Sequence, residues 1–280
     1  MKQILAPLLF FISFAYDAHA QVRAPDSQSV VMREEKRVIV NGAMEVWRLL
    51  WGEKPTECCM PKDVSEAGVA NDPWETPYNC SCVGSGYGEQ ASSLTIRRFR
   101  DGKEIDRLNV RGYGEGSTDE QPPCLPRWPF EEGDEERYTT VPQSQLRIEI
   151  LERPTVDVMD IADYDHDGVA AEFVLYAGYG GACGTNNYVL VGISKQTRKL
   201  QFLGTVEHPN KPVVMRSRER WKELLDSKPD SKVHIRYWSC EDHGAEEEED
   251  YELTIDRQGL HGFKIWYDCK TRKELRRELL

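Results

Sequence analysis

Two tight-turn signals, each between apolar-rich segments, restrict the fold more than any other feature of the sequence. Asn41-Gly42 separates residues 38–40 from residues 44–51, and Asp101-Gly102 separates 94–99 from 105–110. A two-residue Asn-Gly or Asp-Gly turn between two such segments favours a β-hairpin. The sequence therefore predicts a mainly β fold of antiparallel sheets, with one or two short peripheral helices and disulfide staples.

Further segments extend this prediction. Leu146, Ile148 and Ile150 alternate, so residues 146–150 are predicted to form a strand. Two helices are expected: one capped by Ser217 that ends near residue 227, and a short C-terminal one opened by the capping box of Thr271 and Glu274.

The N-terminus has the pattern of an export signal. Lys2 precedes an apolar run over residues 4–14, and Ala18-His19-Ala20 is an A-x-A cleavage site. We therefore expect residues 1–20 to be a signal peptide and residues 21–280 to be an exported β-rich domain, secreted or periplasmic. The apolar run is too short to span a bilayer and no second apolar stretch follows, so stable membrane insertion after cleavage is not expected.

Charge and composition restrict the partners. The formal net charge is −12, which argues against a nucleic-acid partner because such partners need a basic surface. Residues 112–136 are rich in Gly, Pro and acids, so they are expected to form a surface loop or to divide the domain. The acidic run 246–250 is expected to be a solvated hairpin tip, with a second cation site as the alternative.

Eight cysteines in an exported chain favour disulfides. Short loops favour bonds from Cys58 and Cys59 to Cys80 and Cys82, in either order. The remaining cysteines would then pair as Cys124 with Cys183 and Cys240 with Cys269. A zinc site of the first four cysteines is the alternative, and it lacks the usual ligand spacing.

Residues 163–168 read D-Y-D-H-D-G, which is the spacing of a calcium loop. Ca²⁺ takes six to eight oxygen ligands, and a glycine permits the sharp turn. The predicted side-chain ligands are Asp163, Asp165, Asp167 and Glu172, and the carbonyl of Val169 is the predicted backbone ligand. His166 is expected to be a solvent-facing spacer. The alternative is a plain Asp/Gly turn without an ion.

The loop context excludes an EF-hand, which needs flanking helices and a glutamate at loop position 12. That position is Val174. Residues 163–175 resemble the calcium loop of FG-GAP/VCBS-type repeats, in which D-x-D-x-D-G lies between strands. The resemblance covers one loop with one extra residue before Glu172, so it implies a calcium site and not a propeller. A longer stretch, including Cys183-Gly184 and His208-Pro209, resembles exported bacterial proteins without an assigned function.

No nucleophile or zinc-protease motif of the G-x-S-x-G or H-E-x-x-H type occurs in the sequence. No catalytic residue is therefore predicted, and five or more of the seven tryptophans are expected in the core. The predicted function is a calcium-stabilised binding or envelope-associated protein that recognises a protein or carbohydrate surface. The alternative is a secreted hydrolase that uses carboxylates.

Overall fold

The computed structural model describes residues 30–61, 87–113, 121–179, 186–240, 244–256 and 258–280. The predicted signal peptide, Trp74, Cys80, Cys82 and Cys183 lie outside these ranges. In chain order, the described elements are β1 (Val31–Val40), β2 (Ala43–Trp51), β3 (Thr56–Cys58), β4 (Tyr87–Gln90), β5 (Leu94–Arg100), β6 (Lys103–Val110), β7 (Leu125–Trp128), α1 (Asp134–Thr140), α2 (Gln143–Leu151), β8 (Phe173–Tyr179), β9 (Asn186–Ile193), β10 (Leu200–Phe202), β11 (Val214–Met215), α3 (Arg218–Leu225), β12 (Lys232–Trp238), β13 (Glu247–Asp256), β14 (Gly259–Asp268) and β15 (Glu274–Leu279).

The strands form antiparallel sheets, so the predicted fold class is confirmed. One sheet has the order β1-β2-β5-β6, and a second has the order β10-β9-β11 with β8 also paired to β9. The others are β12-β13-β14-β15 and the smaller β3-β4-β7. Both predicted hairpins are present, and Asn41 and Asp101 have the positive φ angles of 51° that their turns require.

The β8–β9 sheet is the middle layer. Phe173 and Leu175 pack in a core cluster with Trp47 and Leu49 of β2. Val174, on the opposite face of β8, packs in a second cluster with residues of α3 and of the β12–β15 sheet. Because β8 is buried on both faces, its sequence is a continuous apolar run rather than an alternating one.

The predicted tryptophan core is confirmed, since five of the six tryptophans in the described ranges are buried: Trp47, Trp51, Trp128, Trp221 and Trp266.

One prediction around residues 112–150 is wrong, and a second is incomplete. Residues 146–150 belong to helix α2, in which Leu146 and Ile150 are fully buried and Ile148 is 57% exposed. A spacing of four residues places the two buried side chains on one helix face, and the sequence alternation concealed this. The segment 112–136 is not wholly irregular, because it contributes strand β7, which pairs with β4.

The predicted C-terminal helix is also wrong. Arg272 has a positive φ of 59°, and the chain then turns back as β15, which pairs with β14. Every residue of β15 is exposed, so no buried face gave the strand a detectable pattern. The other predicted helix is confirmed as α3, whose cap Ser217 accepts a hydrogen bond from the amide of Arg220.

The acidic run 246–250 is not a hairpin tip, because residues from Glu247 onward form β13. Its carboxylates face basic side chains of β14, β15 and the turn between them. Glu248 lies 2.7 Å from Arg272, and Glu249 lies 2.5 Å from Lys264. Cross-strand cations thus compensate the repulsion that suggested a solvated tip.

The disulfide predictions are confirmed in part. Cys240 and Cys269 are bonded as predicted. Cys58 is bonded to Cys124, so its predicted bond to Cys80 or Cys82, the Cys124–Cys183 pair and the four-cysteine zinc site are wrong. The prediction from short sequence distances failed because β3 and β7 both pair with β4. This arrangement brings Cys58 and Cys124 together.

Buried carboxylates pair with arginines of neighbouring strands. Glu45 of β2 contacts Arg98 of β5, and Glu89 of β4 contacts both Arg33 of β1 and Arg127 of β7. These ion pairs have most of their surface removed from water, so breaking one of them leaves a charge without compensation.

A histidine connects the segment after β10 to the β13–β14 hairpin. Nδ1 of His261 lies 2.6 Å from Glu207, and Nε2 lies 3.2 Å from Asp256. Burial alone would lower the pKa of His261, but the two carboxylates raise it above its usual value near 6.5. A group whose pKa is raised by folding stabilises the fold fully at pH values below its unfolded-state pKa. This stabilisation is lost as the pH rises through the folded-state pKa.

We therefore expect the free energy of unfolding to fall between pH 6 and pH 9 by up to about 1 kcal/mol because of this group, the size typical of part-exposed pairs. Urea denaturation of the parent and of His261→Gln across this range measures it. Equal pH dependence in the two proteins would contradict the assignment.

Candidate metal centre

The acidic loop is a closed turn that leads directly into the middle layer. The amide of Ala162 donates to the carbonyl of Glu172 at 2.8 Å, and the amide of Glu172 donates back at 3.1 Å. Between these residues Gly168 has a φ of 85°, which confirms the predicted role of the glycine in the turn. Strand β8 begins at Phe173, the residue after Glu172, so the loop is fixed to a buried strand.

The structure brings three of the predicted ligands together. Asp163, Asp165 and Asp167 each offer a carboxylate oxygen, and these oxygens lie within 4.8 Å of one another. Two oxygens bound to one Ca²⁺ at about 2.3–2.6 Å can be at most about 5 Å apart. The spacing and the oxygen-only donor set therefore fit a hard divalent cation.

Local hydrogen bonds hold the carboxylates in place. Asp163 accepts from the amides of Asp167 at 3.0 Å and Gly168 at 2.9 Å, and Asp167 accepts from the amide of Val169 at 2.9 Å. The plain Asp/Gly turn predicts the same bonds. A carboxylate has about four lone-pair sites, so these bonds still leave oxygen sites for an ion.

Lys195, in the turn after β9, is the basic side chain that pairs with this cluster among the described residues. Its Nζ lies 3.0 Å from Asp165 and 3.9 Å from Asp167. It provides one positive charge against three aspartates, so most of the negative charge in the loop is left to solvent or to a bound cation.

Glu172 is the most deeply buried of the predicted ligands, at 3% exposure. Its carboxylate accepts from the amide of Tyr164 at 3.2 Å. Burial, together with the charges of the three nearby aspartates, raises the pKa of Glu172 to about 9. A cation among these carboxylates would counteract the same repulsion.

A glycine of the neighbouring strand makes room for Glu172. A Cβ at Gly192 would lie 2.8 Å from Cγ of Glu172 and 2.9 Å from Leu203. Gly192 is visible in the sequence, but only the pairing of β8 with β9 shows that it lies next to Glu172. The amide of Val169 donates a hydrogen bond to Asp167. The predicted role of the Val169 carbonyl as a backbone ligand stays a prediction.

Anchors from both neighbouring layers fix the loop. His166 is half-buried and its Nε2 lies 3.1 Å from the carbonyl of Leu224 in α3, so the prediction of a solvent-facing spacer is wrong. Upstream of the loop, Asp160 pairs with Arg218 of α3 at 3.1 Å. On the other side, the carboxylate of Glu34 accepts from the amide of Val158 at 2.7 Å.

The chain was compared with protein-family models, with curated proteins and with solved structures. None of them matches.

The inner end of the cluster reaches a small cavity of about 60 Å³. Asp165 and Lys195 line one part of it, and apolar residues such as Leu190, Trp221 and Leu224 line much of the rest. Asp163 and Asp167 lie nearer the surface. The loop therefore has one buried side and one side open to solvent.

The described disulfides indicate an oxidising compartment, as in extracellular or periplasmic proteins. Among the described helices, none has the length and apolar character needed to cross a membrane.

Proposed function

We propose that this chain is an exported protein in which a calcium ion bound by the acidic loop stabilises a binding or envelope-associated module. The observation that supports the proposal is the clustering of three aspartate oxygens within 4.8 Å of one another. The buried Glu172 lies outside that group and close enough for the charges of the three aspartates to raise its pKa. The ion would be held by Asp163, Asp165, Asp167 and Glu172, with the Val169 carbonyl as the backbone ligand. Export accounts for both the disulfides and the millimolar calcium that such a site needs.

The position of the loop supports a structural role for the ion. The loop precedes β8 and contacts α3 through His166, while Glu34 of β1 holds the segment before it. An ion there would fix the connection between the three layers. Extracellular modules bind calcium with dissociation constants of about 10⁻⁴–10⁻³ M, which suits a constant structural ion rather than a switch.

The alternative, a carboxylate-dependent hydrolase, draws on the access of Asp165 to the small cavity at the inner end of the cluster. That cavity measures about 60 Å³. Ligand pockets are usually about 300–1,000 Å³, so this one is too small for a sugar or peptide substrate. The size favours the structural role.

Calcium is expected to raise the melting temperature of the protein above its value in chelator. At ten times the dissociation constant, the stabilisation is about 1.4 kcal/mol. Asp165→Ala is expected to lose the calcium-dependent shift, and Glu132→Ala, an exposed acid outside the loop, is expected to keep it. Lys195→Met removes a positive charge that competes with the ion. The melting temperature of this variant should therefore rise at lower calcium concentrations than that of the parent.

Thermal melts of the four proteins over a calcium titration, with magnesium in parallel, provide the measurement. Magnesium is expected to act more weakly, because it requires a near-octahedral shell and retains its waters. An identical melting temperature of the parent in calcium and in chelator would refute the proposal.

A further inference from the structure

A second, larger cavity lies between the start of α3 and the edge strand β12. Its volume is about 220 Å³, and its lining includes Arg216, Arg220, Arg236, Ile235, Tyr237 and Tyr251. The acidic loop contacts α3 near its other end, through the carbonyl of Leu224. The cavity is therefore separate from the candidate metal centre.

Three arginines line this one cavity, in a chain whose net charge is −12. Two of them have carboxylate neighbours: Arg220 lies 2.7 Å from Glu223, and Arg236 lies 3.7 Å from Glu248. Arg216 has no carboxylate within 4.0 Å in the described ranges of the chain. Its positive charge is thus available to a ligand.

Aromatic rings hold the guanidinium of Arg216 in place. It lies 4.6 Å from the ring centroid of Tyr237 and 4.6 Å from that of Trp238. Tyr237 in turn stacks on the buried Tyr251, with centroids 4.9 Å apart and an angle of 12° between the rings. These contacts are cation–π contacts, so they do not neutralise the positive charge of the guanidinium, which can also bind a planar bidentate oxyanion.

The other residues that line the cavity indicate which chemical group could accompany the oxyanion. Met215 and Ile235 are buried apolar residues of the lining, and Tyr251 presents an aromatic surface. The N-terminal end of α3 adds a partial positive charge on the same side as the arginines. An engineered apolar cavity of about 150 Å³ binds benzene, so the present cavity has room for a group of that size.

We propose that this cavity binds a small ligand in which an oxyanion, a carboxylate or a phosphate ester, is attached to an apolar or aromatic group. Arg216 is the main partner of the oxyanion, and Arg220 and Arg236 increase the positive potential around it. The binding does not require the calcium site, so the two proposals can fail separately.

Titration calorimetry with benzoate, phenyl phosphate, inorganic phosphate and neutral benzyl alcohol tests this inference on the full mature chain. We expect benzoate or phenyl phosphate to bind with a dissociation constant below about 1 mM, and benzyl alcohol to bind at least tenfold more weakly. The tighter of the two aromatic anions identifies the oxyanion. Weaker binding of inorganic phosphate than of phenyl phosphate shows the contribution of the apolar walls.

Arg216→Gln is expected to weaken binding of the preferred anion at least tenfold. Arg107→Gln removes the same charge from an exposed position of β6 and is expected to leave binding unchanged. If Arg216→Gln does not fold, as judged by its melting curve, Arg220→Gln replaces it and should weaken binding severalfold. Absence of binding by both aromatic anions, or equal affinity in the parent and the folded cavity variant, would overturn the proposal.

Discussion

Replacing Glu45 with alanine is expected to lower the free energy of unfolding by about 3–5 kcal/mol, because it leaves a buried arginine without its main partner. Glu45 is fully buried and accepts hydrogen bonds from Arg98 at 2.9 and 3.0 Å and from the indole of Trp47 at 3.0 Å. Arg100 approaches it at 2.5 Å. Without Glu45, the guanidinium of Arg98 keeps one carboxylate partner among the described residues, Asp106 at 3.3 Å.

The ionisation of Glu45 is consistent with this role. Burial alone would raise its pKa, but the hydrogen bonds from Arg98, Trp47 and Arg100 lower it below the usual value. A lowered pKa means that the stabilisation is present above the pKa of the unfolded chain and is lost as the pH falls through the folded-state pKa. The effect of the substitution should therefore be measured near neutral pH.

Urea denaturation of Glu45→Ala measures the loss, and Glu35→Ala is the matched control. Glu35 pairs with Arg48 between the adjacent strands β1 and β2, with side chains 35% and 41% exposed, so its loss should cost less than about 1 kcal/mol. Glu45→Met combined with Arg98→Met should recover much of the stability, because it removes both charges. Similar losses in Glu45→Ala and Glu35→Ala would contradict a buried, energetically important pair.

The sequence already contained a sign of this network. Glu45, Trp47 and Leu49 alternate along β2, so they must point to the same face of the sheet. Trp47 and Leu49 are core residues, so Glu45 had to be either a buried acid or a break in the alternating pattern. Its partner Arg98 lies on β5, and only the β2–β5 pairing shows that the two meet.

Local signals predicted the hairpins and the acidic loop because all the residues involved are near in sequence. The loop turn depends on Gly168 and on aspartates within five residues of it. By contrast, Lys195 and the contact of His166 with α3 come from distant parts of the chain, and no local pattern encodes them. The error at residues 146–150 is different, since two apolar residues four apart fit a helix as well as a strand.

Removing the Cys58–Cys124 disulfide by a double alanine substitution is expected to cost about 4 kcal/mol, from the chain entropy of a loop of this length. The two cysteines are separated by 66 residues, so the bond restricts a large part of the unfolded chain. In the folded protein, the bond connects β3 to the residue before β7, on either side of β4. A Cβ at Gly88 of β4 would lie 2.6 Å from the sulfur of Cys124, so the bond packs closely over that strand.

The Cys240–Cys269 bond provides the comparison, because its sequence separation is only 29 residues. The same entropy relation makes its loss smaller, by about 0.7 kcal/mol. Urea denaturation of both double alanine variants under non-reducing conditions measures the two costs, and intact mass against the parent confirms that each variant has lost no further disulfide. A larger loss from the shorter loop would show that native packing around each bond, rather than the entropy of the unfolded chain, determines its contribution to stability.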